Sequence, residues 1–249
     1  MSETNHVVVV GMGEVGAPLF RILRRSYRCL DVDIQPVDLP WPCSVLHICY
    51  PFQIRDFVGT TARYIEKYQP ALTIINSTVA PGTTTKVSMT TGAAVAYSPV
   101  RGKHAKMEQD MLFYRKFVGA DDPAVRGLGL AHFEHAGFKT GTFPTALAGE
   151  LAKLIETTWL GILVGWAQEV ERVAASYGTT YEDVNEFIKE IAFLPNDVYP
   201  GVIGGHCVMP NIAILRSLLQ SDFLDAVARS NDMKLSEQAR LAKVETNHD

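Results

Sequence analysis

The chain lacks the features that mark several large classes of protein. It has no long apolar run: its longest uncharged helical stretch, 157–167, is about half of the ~20 residues that a membrane span needs. It also has no block of like charges, and its 23 basic residues nearly balance its 27 acidic ones. These absences argue against a membrane span and against nucleic acid as a partner. We therefore expect a small-molecule ligand.

Cysteine is scarce too, with four residues in a chain of 249. The first six residues lack the basic and then apolar organisation of a signal peptide. We therefore expect a cytoplasmic protein whose cysteines are reduced rather than paired in disulfides. Cys29, Cys43 and Cys49 are expected only to pack, whereas Cys207 stands among several glycines.

Between Val7 and about Gly141, short apolar runs rich in β-branched residues alternate with helical patterns. This alternation predicts an α/β domain, residues 1–143, with a doubly wound Rossmann-type parallel sheet. The predicted strands are Val7–Val10, Tyr27–Val32, Ser44–Cys49, Leu72–Asn76, Ala93–Tyr97 and Lys116–Gly119. The predicted helices are Ala17–Arg25, Ile54–Tyr68, Thr83–Met89 and Asp122–Ala136.

After Pro144 the pattern becomes helical. The segment Ala146–Tyr177 has no proline, and its apolar residues recur at helical spacing over a face too broad for one contact. The sequence therefore predicts a smaller all-helical domain, residues 144–249, whose long helix pairs with a second subunit in a homodimer. Further helices are predicted at Tyr181–Ala192, Asn211–Leu219 and Asp222–Val244.

A glycine-rich motif follows the first predicted strand and opens a helix. In this dinucleotide-binding pattern, Gly11 makes the turn, Gly13 admits the pyrophosphate, and Gly16 lets the helix pack on the strand. Asp33 ends the next strand, about 20 residues on, where a carboxylate is expected to bind the ribose hydroxyls. Asp31 is the alternative acid. Either acid disfavours a 2′-phosphate, so NAD is the predicted cofactor.

Four further motifs follow the glycine motif along the chain. They are Asn76–Thr84, Ser98-Pro99, Gly149–Leu154 and Pro200–Cys207. In this order the five motifs resemble the nucleotide-sugar 6-dehydrogenases, the family that acts on UDP-glucose, UDP-N-acetylmannosamine or GDP-mannose. The resemblance covers the first two-thirds of that family, and we expect its C-terminal nucleotide-binding domain to be absent.

The resemblance implies roles for three side chains. Cys207 would attack an aldehyde made by a first hydride transfer, Lys153 would stabilise developing oxyanions, and Thr78 would order the substrate or a water. The surrounding glycines independently favour Cys207 because they leave room for a ligand, and a lysine or a helix N-terminus nearby would favour its thiolate. No metal site is predicted. The predicted cofactor-binding residues are Gly11, Met12, Gly13, Glu14, Val15, Gly16, Asp33, Tyr50, Pro51, Ser77 and Thr78.

Three positions depart from the family pattern. Val100 stands where the family has a carboxylate after the fifth strand, Thr157 stands for an asparagine, and Asn211 stands for an aspartate. Val100 cannot act as a general base. The sequence therefore argues against efficient hydrolysis of a thioester.

Alternatives stay open at this point. Gly149 and Lys153 also resemble the lysine helix of β-hydroxyacid dehydrogenases, which oxidise an alcohol without a cysteine. An NAD-binding paralogue with altered or lost activity is the third possibility. His132 and His135 are expected at the surface, because no further metal ligand accompanies them. His206 could tune Cys207 or only bond its loop, and the basic loop 101–106 could bind an anion or be solvated.

Overall fold

The computed structural model describes residues 6–33, 35–191, 195, 198–205, 207–218 and 220–245. Contacts between residues divide the chain into two compact units, Met1–Lys153 and Leu154–Asp249. The border between the units falls within the range of a long helix, Ala146–Ser176.

The first unit contains one sheet, which has seven strands across the described residues, in the order β2-β1-β3-β4-β5-β6-β7. Strands β1 to β5 run parallel, β6 pairs antiparallel with β5, and β7 is parallel to β6. The predicted doubly wound, mostly parallel sheet is confirmed. The strands are β1 (His6–Val10), β2 (Arg28–Val32), β3 (Val45–Ile48), β4 (Leu72–Ile75), β5 (Val95–Tyr97), β6 (Lys116–Gly119) and β7 (Thr140–Phe143).

Helices cover both faces of this sheet, and this explains the run of four valines in β1. Val7 and Val9 belong to one buried cluster, whereas Val8 and Val10 belong to another. A strand buried on both faces needs apolar residues at every position. The helices of this unit are α1 (Gly16–Leu23), α2 (Phe57–Tyr68), α3 (Thr83–Thr91), α4 (Met107–Phe113) and α5 (Pro123–His135).

One strand and one α-helix of the first unit were not predicted. Strand β7 contains one large apolar residue, Phe143, so its pattern is weak; pairing with β6 makes it a strand. Helix α4 is short and partly charged, and it is held by Met107 and Met111, which enter the core. Local pattern alone was too weak to predict either element.

The predicted surface position of His132 is wrong. Its ring is buried, and its Nε2 lies 2.9 Å from Nε2 of His47, a fully buried residue of β3. The ring of Tyr27 stacks on His132 at a centroid distance of 4.7 Å. His135, one turn further along α5, is exposed as expected. The helical spacing therefore distinguishes a buried face from a solvent face.

The second unit is helical. It contains the later part of α6 (Ala146–Ser176), then α7 (Tyr181–Lys189), α8 (Val208–Leu218) and α9 (Asp222–Glu245). Gly161 of α6 faces α8, because an added Cβ would lie 2.7 Å from Cγ1 of Val208. Close packing against α8 thus compensates for a glycine within α6. Among the described residues, no helix has both the length and the apolar character of a membrane span.

Helix α8 begins three residues before the predicted start at Asn211. The prediction placed Pro210 outside the helix. In the structure Pro210 lies in the first turn, where its missing N–H group costs nothing. Cys207 therefore lies directly before the first residue of α8. Its carbonyl oxygen accepts a hydrogen bond from Asn211 N–H at 3.2 Å.

Candidate functional site

The glycine turn between β1 and α1 is shaped by two close approaches. Gly11 has φ +91°, and a Cβ on it would lie 2.6 Å from the backbone nitrogen of Tyr50. A Cβ on Gly16 would lie 1.8 Å from the carbonyl oxygen of Gly11. Gly13, in contrast, has no heavy atom within 4 Å of an added Cβ. Two glycines thus close the turn, while the third leaves open space.

Asp33 lies at this turn. Its Oδ1 accepts a hydrogen bond from Met12 N–H at 3.2 Å, and the residue is exposed. Asp31 pairs with Val9 within the sheet, one pair before the end of the ladder at Val10 and Val32. Of the two predicted acids, Asp33 is therefore the one in contact with the glycine turn.

The start of α1 has no side-chain cap: Val15 is the N-cap residue and no side chain accepts a hydrogen bond there. The unshared N–H groups of a first helical turn favour an anion such as pyrophosphate. Glu14 is exposed and Val15 is half-buried. The open space at Gly13, the uncapped helix and the Asp33 carboxylate together fit a dinucleotide.

Four predicted cofactor-binding residues follow strands β3 and β4. Ser77 Oγ donates to the carbonyl oxygen of Tyr50 at 2.6 Å, which joins the two strand ends. The Tyr50 hydroxyl and Thr61 Oγ1 lie 2.6 Å apart, and burial raises the pKa of Tyr50 well above its usual value. Pro51 is exposed and Thr78 is half-buried. These residues line the carboxyl edge of the sheet, where ligands of this fold bind.

A buried lysine, which the sequence analysis missed, also reaches this edge. Lys116 begins β6, and its Nζ donates to Asn76 Oδ1 at 3.1 Å and to the carbonyl oxygens of Ser98 at 2.6 Å and Pro99 at 3.1 Å. Burial lowers its pKa to about 7; Cys49 opposes this shift, and the charges of Lys153 and Arg101 add to it. The only sequence signal was a cation at the start of an apolar strand.

A polar chain continues from this lysine through the core. Asn76 Nδ2 lies 3.1 Å from His47 Nδ1, and His47 Nε2 contacts His132. Burial holds the pKa of His47 well below its usual value and lowers that of His132 to about 3. Both imidazoles are therefore neutral at pH 7.

The Gly149–Leu154 motif begins at a tight contact. A Cβ on Gly149 would lie 2.8 Å from the ring of Phe143 and 2.9 Å from that of Tyr97. The next residue, Glu150, is fully buried and accepts hydrogen bonds from Gly82 N–H at 2.6 Å, Thr84 N–H at 2.8 Å and Thr84 Oγ1 at 2.6 Å. Glu150 thus satisfies the N-terminus of α3 and anchors the start of α6.

Lys153 follows on the same helix and is half-buried. Its positive charge is one of the causes that lower the pKa of Lys116. Glu150 and Lys153 belong to one motif, but the sequence analysis selected only the lysine. The capping role of Glu150 depends on α3, which is distant in the sequence.

The second unit holds the candidate nucleophile on a glycine-rich loop. Cys207 is exposed. Gly205 has φ +76°, and an added Cβ on Gly201, Gly204 or Gly205 meets no heavy atom within 4 Å. There is therefore open space next to these three glycines of the loop. His206, its other candidate residue, lies outside the described residues.

Two buried amides hold this loop. Gln168 Nε2 donates to the Gly201 carbonyl oxygen at 2.7 Å. Asn231 Oδ1 accepts from Ile203 N–H at 2.7 Å, and Asn231 Nδ2 donates to the Ile203 carbonyl oxygen at 3.3 Å. Ser230, the residue before Asn231, donates from its Oγ to Gln168 Oε1 at 2.8 Å and so holds the first amide in place. The loop before Cys207 is thus fixed by its backbone.

The other three cysteines differ from Cys207. Burial raises the pKa of each thiol, that of Cys29, Cys43 and Cys49, to about 12. None of the four cysteines, all of which are among the described residues, forms a disulfide. Three thiols thus stay protonated at neutral pH.

The three departures from the family pattern are all buried. Val100 packs in the same apolar cluster as Met107 and Val118. Thr157 is buried on α6, and Asn211 is buried on α8 with no hydrogen-bond partner for Nδ2. Val100 therefore provides no carboxylate at the end of β5. Among the described residues, no group of three His, Cys, Asp or Glu side chains could hold a metal ion.

Comparison with known proteins agrees with this geometry. The structure is similar to a UDP-D-ManNAc dehydrogenase from Pyrococcus horikoshii, with a TM-score of 0.83, 19% identity, and coverage of 95% of this chain and 70% of the other. It is also similar to the Mycobacterium tuberculosis 3-hydroxyisobutyrate dehydrogenase, with a TM-score of 0.69, 14% identity, and coverage of 95% and 94%. The similarity and the glycine turn thus define a Rossmann-type fold.

Residues 148–233 match the central domain of the UDP-glucose/GDP-mannose dehydrogenase family. A curated relative, the UDP-N-acetyl-D-mannosamine dehydrogenase of Pyrococcus horikoshii, is 26% identical over 166 residues, which cover 61% of this chain. The chain spans 39% of the length of that relative. Residues 148–233 are therefore similar to the central domain of this family, and the predicted resemblance to nucleotide-sugar dehydrogenases is confirmed.

Proposed function

We propose that the protein is an NAD-dependent oxidoreductase that oxidises a primary alcohol or aldehyde of a sugar-derived substrate. The observation that carries the proposal is the glycine turn, where Asp33 accepts from Met12 N–H beside the open space at Gly13. The match of residues 148–233 to a dehydrogenase family supports the same reaction class. Small-molecule chemistry also agrees with the balanced charge of the chain.

NAD would be the hydride acceptor, and residues of the first unit would bind and orient it. The first turn of α1 and the space at Gly13 accept the pyrophosphate, and Asp33 accepts hydrogen bonds from the ribose hydroxyls. Ser77 and Thr78, at the end of β4, lie at the edge where the reactive half of a dinucleotide binds in this fold. The Asp33 carboxylate repels a 2′-phosphate and so favours NAD over NADP.

Cys207 is the nucleophile of the proposed reaction. Its sulfur would bond to the carbon of an aldehyde, whose oxygen would take the thiol proton. Loss of a hydride, for which NAD⁺ would be the acceptor, and of a proton to solvent would then convert this adduct to a thioester. Water then cleaves the carbon–sulfur bond and releases the acid and the thiol. Three observations support Cys207: its exposure, the spacious loop, and its place at the start of α8.

Lys153 and Thr78 complete the proposed set. A lysine cation stabilises the negative charge that develops on the substrate oxygen during each hydride transfer. A threonine hydroxyl both donates and accepts, so that Thr78 can order the substrate or a water. Both residues are half-buried, so part of each stays accessible.

A second candidate function is a two-electron dehydrogenase of the β-hydroxyacid type. Two observations favour it: the similarity to a 3-hydroxyisobutyrate dehydrogenase covers 94% of that chain, and Val100 offers no base for the last, hydrolytic step. In that reaction Lys153 acts without Cys207. The lack of a base at Val100 also agrees with a third alternative, an NAD-binding paralogue with altered or lost turnover.

We further infer a homodimer. Helix α6 exposes Ile155, Trp159, Leu160 and Trp166. Contiguous exposed apolar residues on one helix are typical of an interface, and a two-fold axis would pair the helix with its copy.

The proposed function is tested by intact-mass spectrometry with an aldehyde and NAD. Because Val100 replaces the carboxylate, we expect a covalent adduct on Cys207 that persists, and little four-electron oxidation of UDP-glucose, UDP-N-acetylmannosamine or GDP-mannose. The control is Cys207→Ala, which removes the adduct. Rapid four-electron turnover with no adduct would contradict the inference that Val100 leaves thioester hydrolysis without a base. Turnover that survives in Cys207→Ala would instead support the two-electron dehydrogenase.

A further inference from the structure

Lys116 joins the ends of two strands at the carboxyl edge of the sheet. Because β6 runs antiparallel to β5 and its last residue, Gly119, pairs with Tyr97 at the end of β5, the first residue of β6 lies beside the segment that follows β5. Its ammonium donates to the carbonyl oxygens of Ser98 and Pro99 after β5, and to Asn76 Oδ1 after β4. One buried side chain therefore holds the backbone after β5 and a side chain after β4 together.

The amide of Asn76 is fixed on both sides. Its Oδ1 faces the Lys116 ammonium, while its Nδ2 faces His47 Nδ1 and the carbonyl oxygen of Ile74 at 3.1 Å each. Without the lysine, the buried Oδ1 of Asn76 loses the ammonium group that donates a hydrogen bond to it. An unsatisfied buried acceptor favours rearrangement. The residues next to Asn76 are Ser77 and Thr78, which would move with it.

We propose that Lys116 is a positioning residue whose ammonium holds Asn76, and through it Ser77 and Thr78, in the arrangement that binds the dinucleotide. The inference rests on the proposed function, which assigns Ser77 and Thr78 to the cofactor. It concerns a group that neither the proposed chemistry nor the five motifs use.

The groups around Lys116 supply no opposite charge to its ammonium. His47 and Cys49 come from β3 and the residue after it, Lys153 from α6, and Arg101 from the loop after β5. From α5, the Phe133 ring centroid lies 5.0 Å from Nζ, and His132 contacts His47. The imidazoles and the thiol are neutral at pH 7, and Lys153 and Arg101 are positive. Among these described groups no anion compensates the buried ammonium. Replacing Lys116 with methionine removes the cost of burying this charge but leaves three acceptors without their donor, and because these two effects oppose each other we expect a folded variant of similar stability.

The geometry also gives a pH dependence. An ammonium has three N–H donors, one for each of its three acceptors, whereas a neutral amine has two. Deprotonation near pH 7 therefore releases one of the three contacts. We expect dinucleotide affinity to fall as the pH rises through this range.

The experiment measures NADH affinity by fluorescence titration between pH 6 and pH 9, with the melting temperature recorded in parallel. For Lys116→Met we expect affinity at least tenfold weaker than wild type at pH 6, no pH dependence near 7, and a similar melting temperature. Lys116→Arg keeps the charge, so we expect it to retain most of the affinity and to lose the pH dependence. The matched control is Lys139→Met, an exposed lysine, which should behave as wild type.

The outcomes separate the two proposals. A wild-type protein that does not bind NADH contradicts the proposed function itself. Wild-type binding together with equal affinity and an equal pH profile in Lys116→Met overturns the positioning role. A parallel loss of affinity and melting temperature in Lys116→Met would assign the lysine a merely structural role and also overturn it. If Lys116→Met does not fold, the pH profile of Lys116→Arg decides: a profile unchanged from wild type overturns the inference.

Discussion

At the scale of single residues, two side chains can be judged by their immediate contacts. Asp33 contacts the backbone of the glycine turn, and Cys207 is exposed at the end of a loop whose backbone is held by buried amides. The alternative acid and the alternative cysteines lie in different surroundings. Asp31 belongs to the strand ladder, and the other cysteines are more buried.

Asp33 should decide the choice between NAD and NADP. We expect the wild-type protein to bind NAD more tightly than NADP by calorimetry, because the carboxylate accepts from ribose hydroxyls and repels a phosphate. In Asp33→Asn, NAD should weaken by roughly tenfold, the effect of losing about 1.4 kcal/mol from hydrogen bonds to a charged group. The control is Asp31→Asn, which should change little. Equal affinity for both cofactors in the wild-type protein would remove the role assigned to Asp33.

Cys207 should be the thiol that alkylates first. Burial raises the pKa of Cys29, Cys43 and Cys49 to about 12, so their thiolate fraction near neutral pH is negligible. Limited treatment with iodoacetamide at pH 7, followed by peptide mapping, should therefore label Cys207 at least tenfold faster than the others. Cys207→Ser should leave almost no labelling in the folded protein. Preferential labelling of a buried cysteine would contradict the assignment.

At the scale of elements, packing gives three helices their roles. Helix α3 begins at a buried carboxylate, Glu150, which belongs to α6. Helix α8 packs on Gly161 of α6 and places Cys207 before its first residue. Helix α6 thus anchors one element in each unit. The exposed apolar residues of α6, such as Trp159 and Trp166, are not covered in this way by other described residues.

The exposed face of α6 is the predicted dimer surface. Trp159 and Trp166 are 55% and 66% exposed, and burying them against a second copy would stabilise a dimer by several kcal/mol. We expect a dimer at micromolar concentration by light scattering, and a monomer for Trp159→Glu/Trp166→Glu. The control is Leu128→Glu on α5, where the leucine is 54% exposed. A wild-type monomer would show that α6 does not mediate assembly.

At the scale of the whole molecule, the buried lysine should appear in the pH dependence of stability. The pKa of Lys116 is about 7 in the folded chain, compared with 10.5 in its ordinary state. Between these values the unfolded chain binds more protons, so this residue makes the free energy of unfolding rise with pH. Its contribution is complete above the unfolded pKa and is lost as the pH falls through the folded pKa.

This contribution is measurable as a difference between two proteins. The free energy of unfolding of wild type, minus that of Lys116→Met, should rise by up to about 1.4 kcal/mol per pH unit between pH 7.5 and 9.5. Urea denaturation at several pH values gives both quantities, and the subtraction removes the other titrating groups. A difference that stays constant with pH would show that Lys116 keeps its ordinary pKa in the folded protein.

Much of the molecule follows from local pattern. The valines of β1, the glycine turn and the long apolar periodicity of α6 each contain their structural reason within a few residues, so the fold class and the family resemblance were available from sequence. Strand β7 and helix α4 were not, because each is formed by contacts with distant residues rather than by its own pattern.

The sequence by itself determined the doubly wound sheet and the glycine turn, because strand period, positive φ and small side chains are local properties. It also predicted Cys207 as the candidate nucleophile, which stays a prediction. Only the tertiary structure decided that His132 is buried, that Glu150 caps α3, and that Lys116 joins the ends of β4 and β5. The physical reason is that burial and hydrogen-bond partners are set by residues far apart in the chain. A lysine or histidine is polar in the sequence, and only its neighbours in space determine its charge and what it holds.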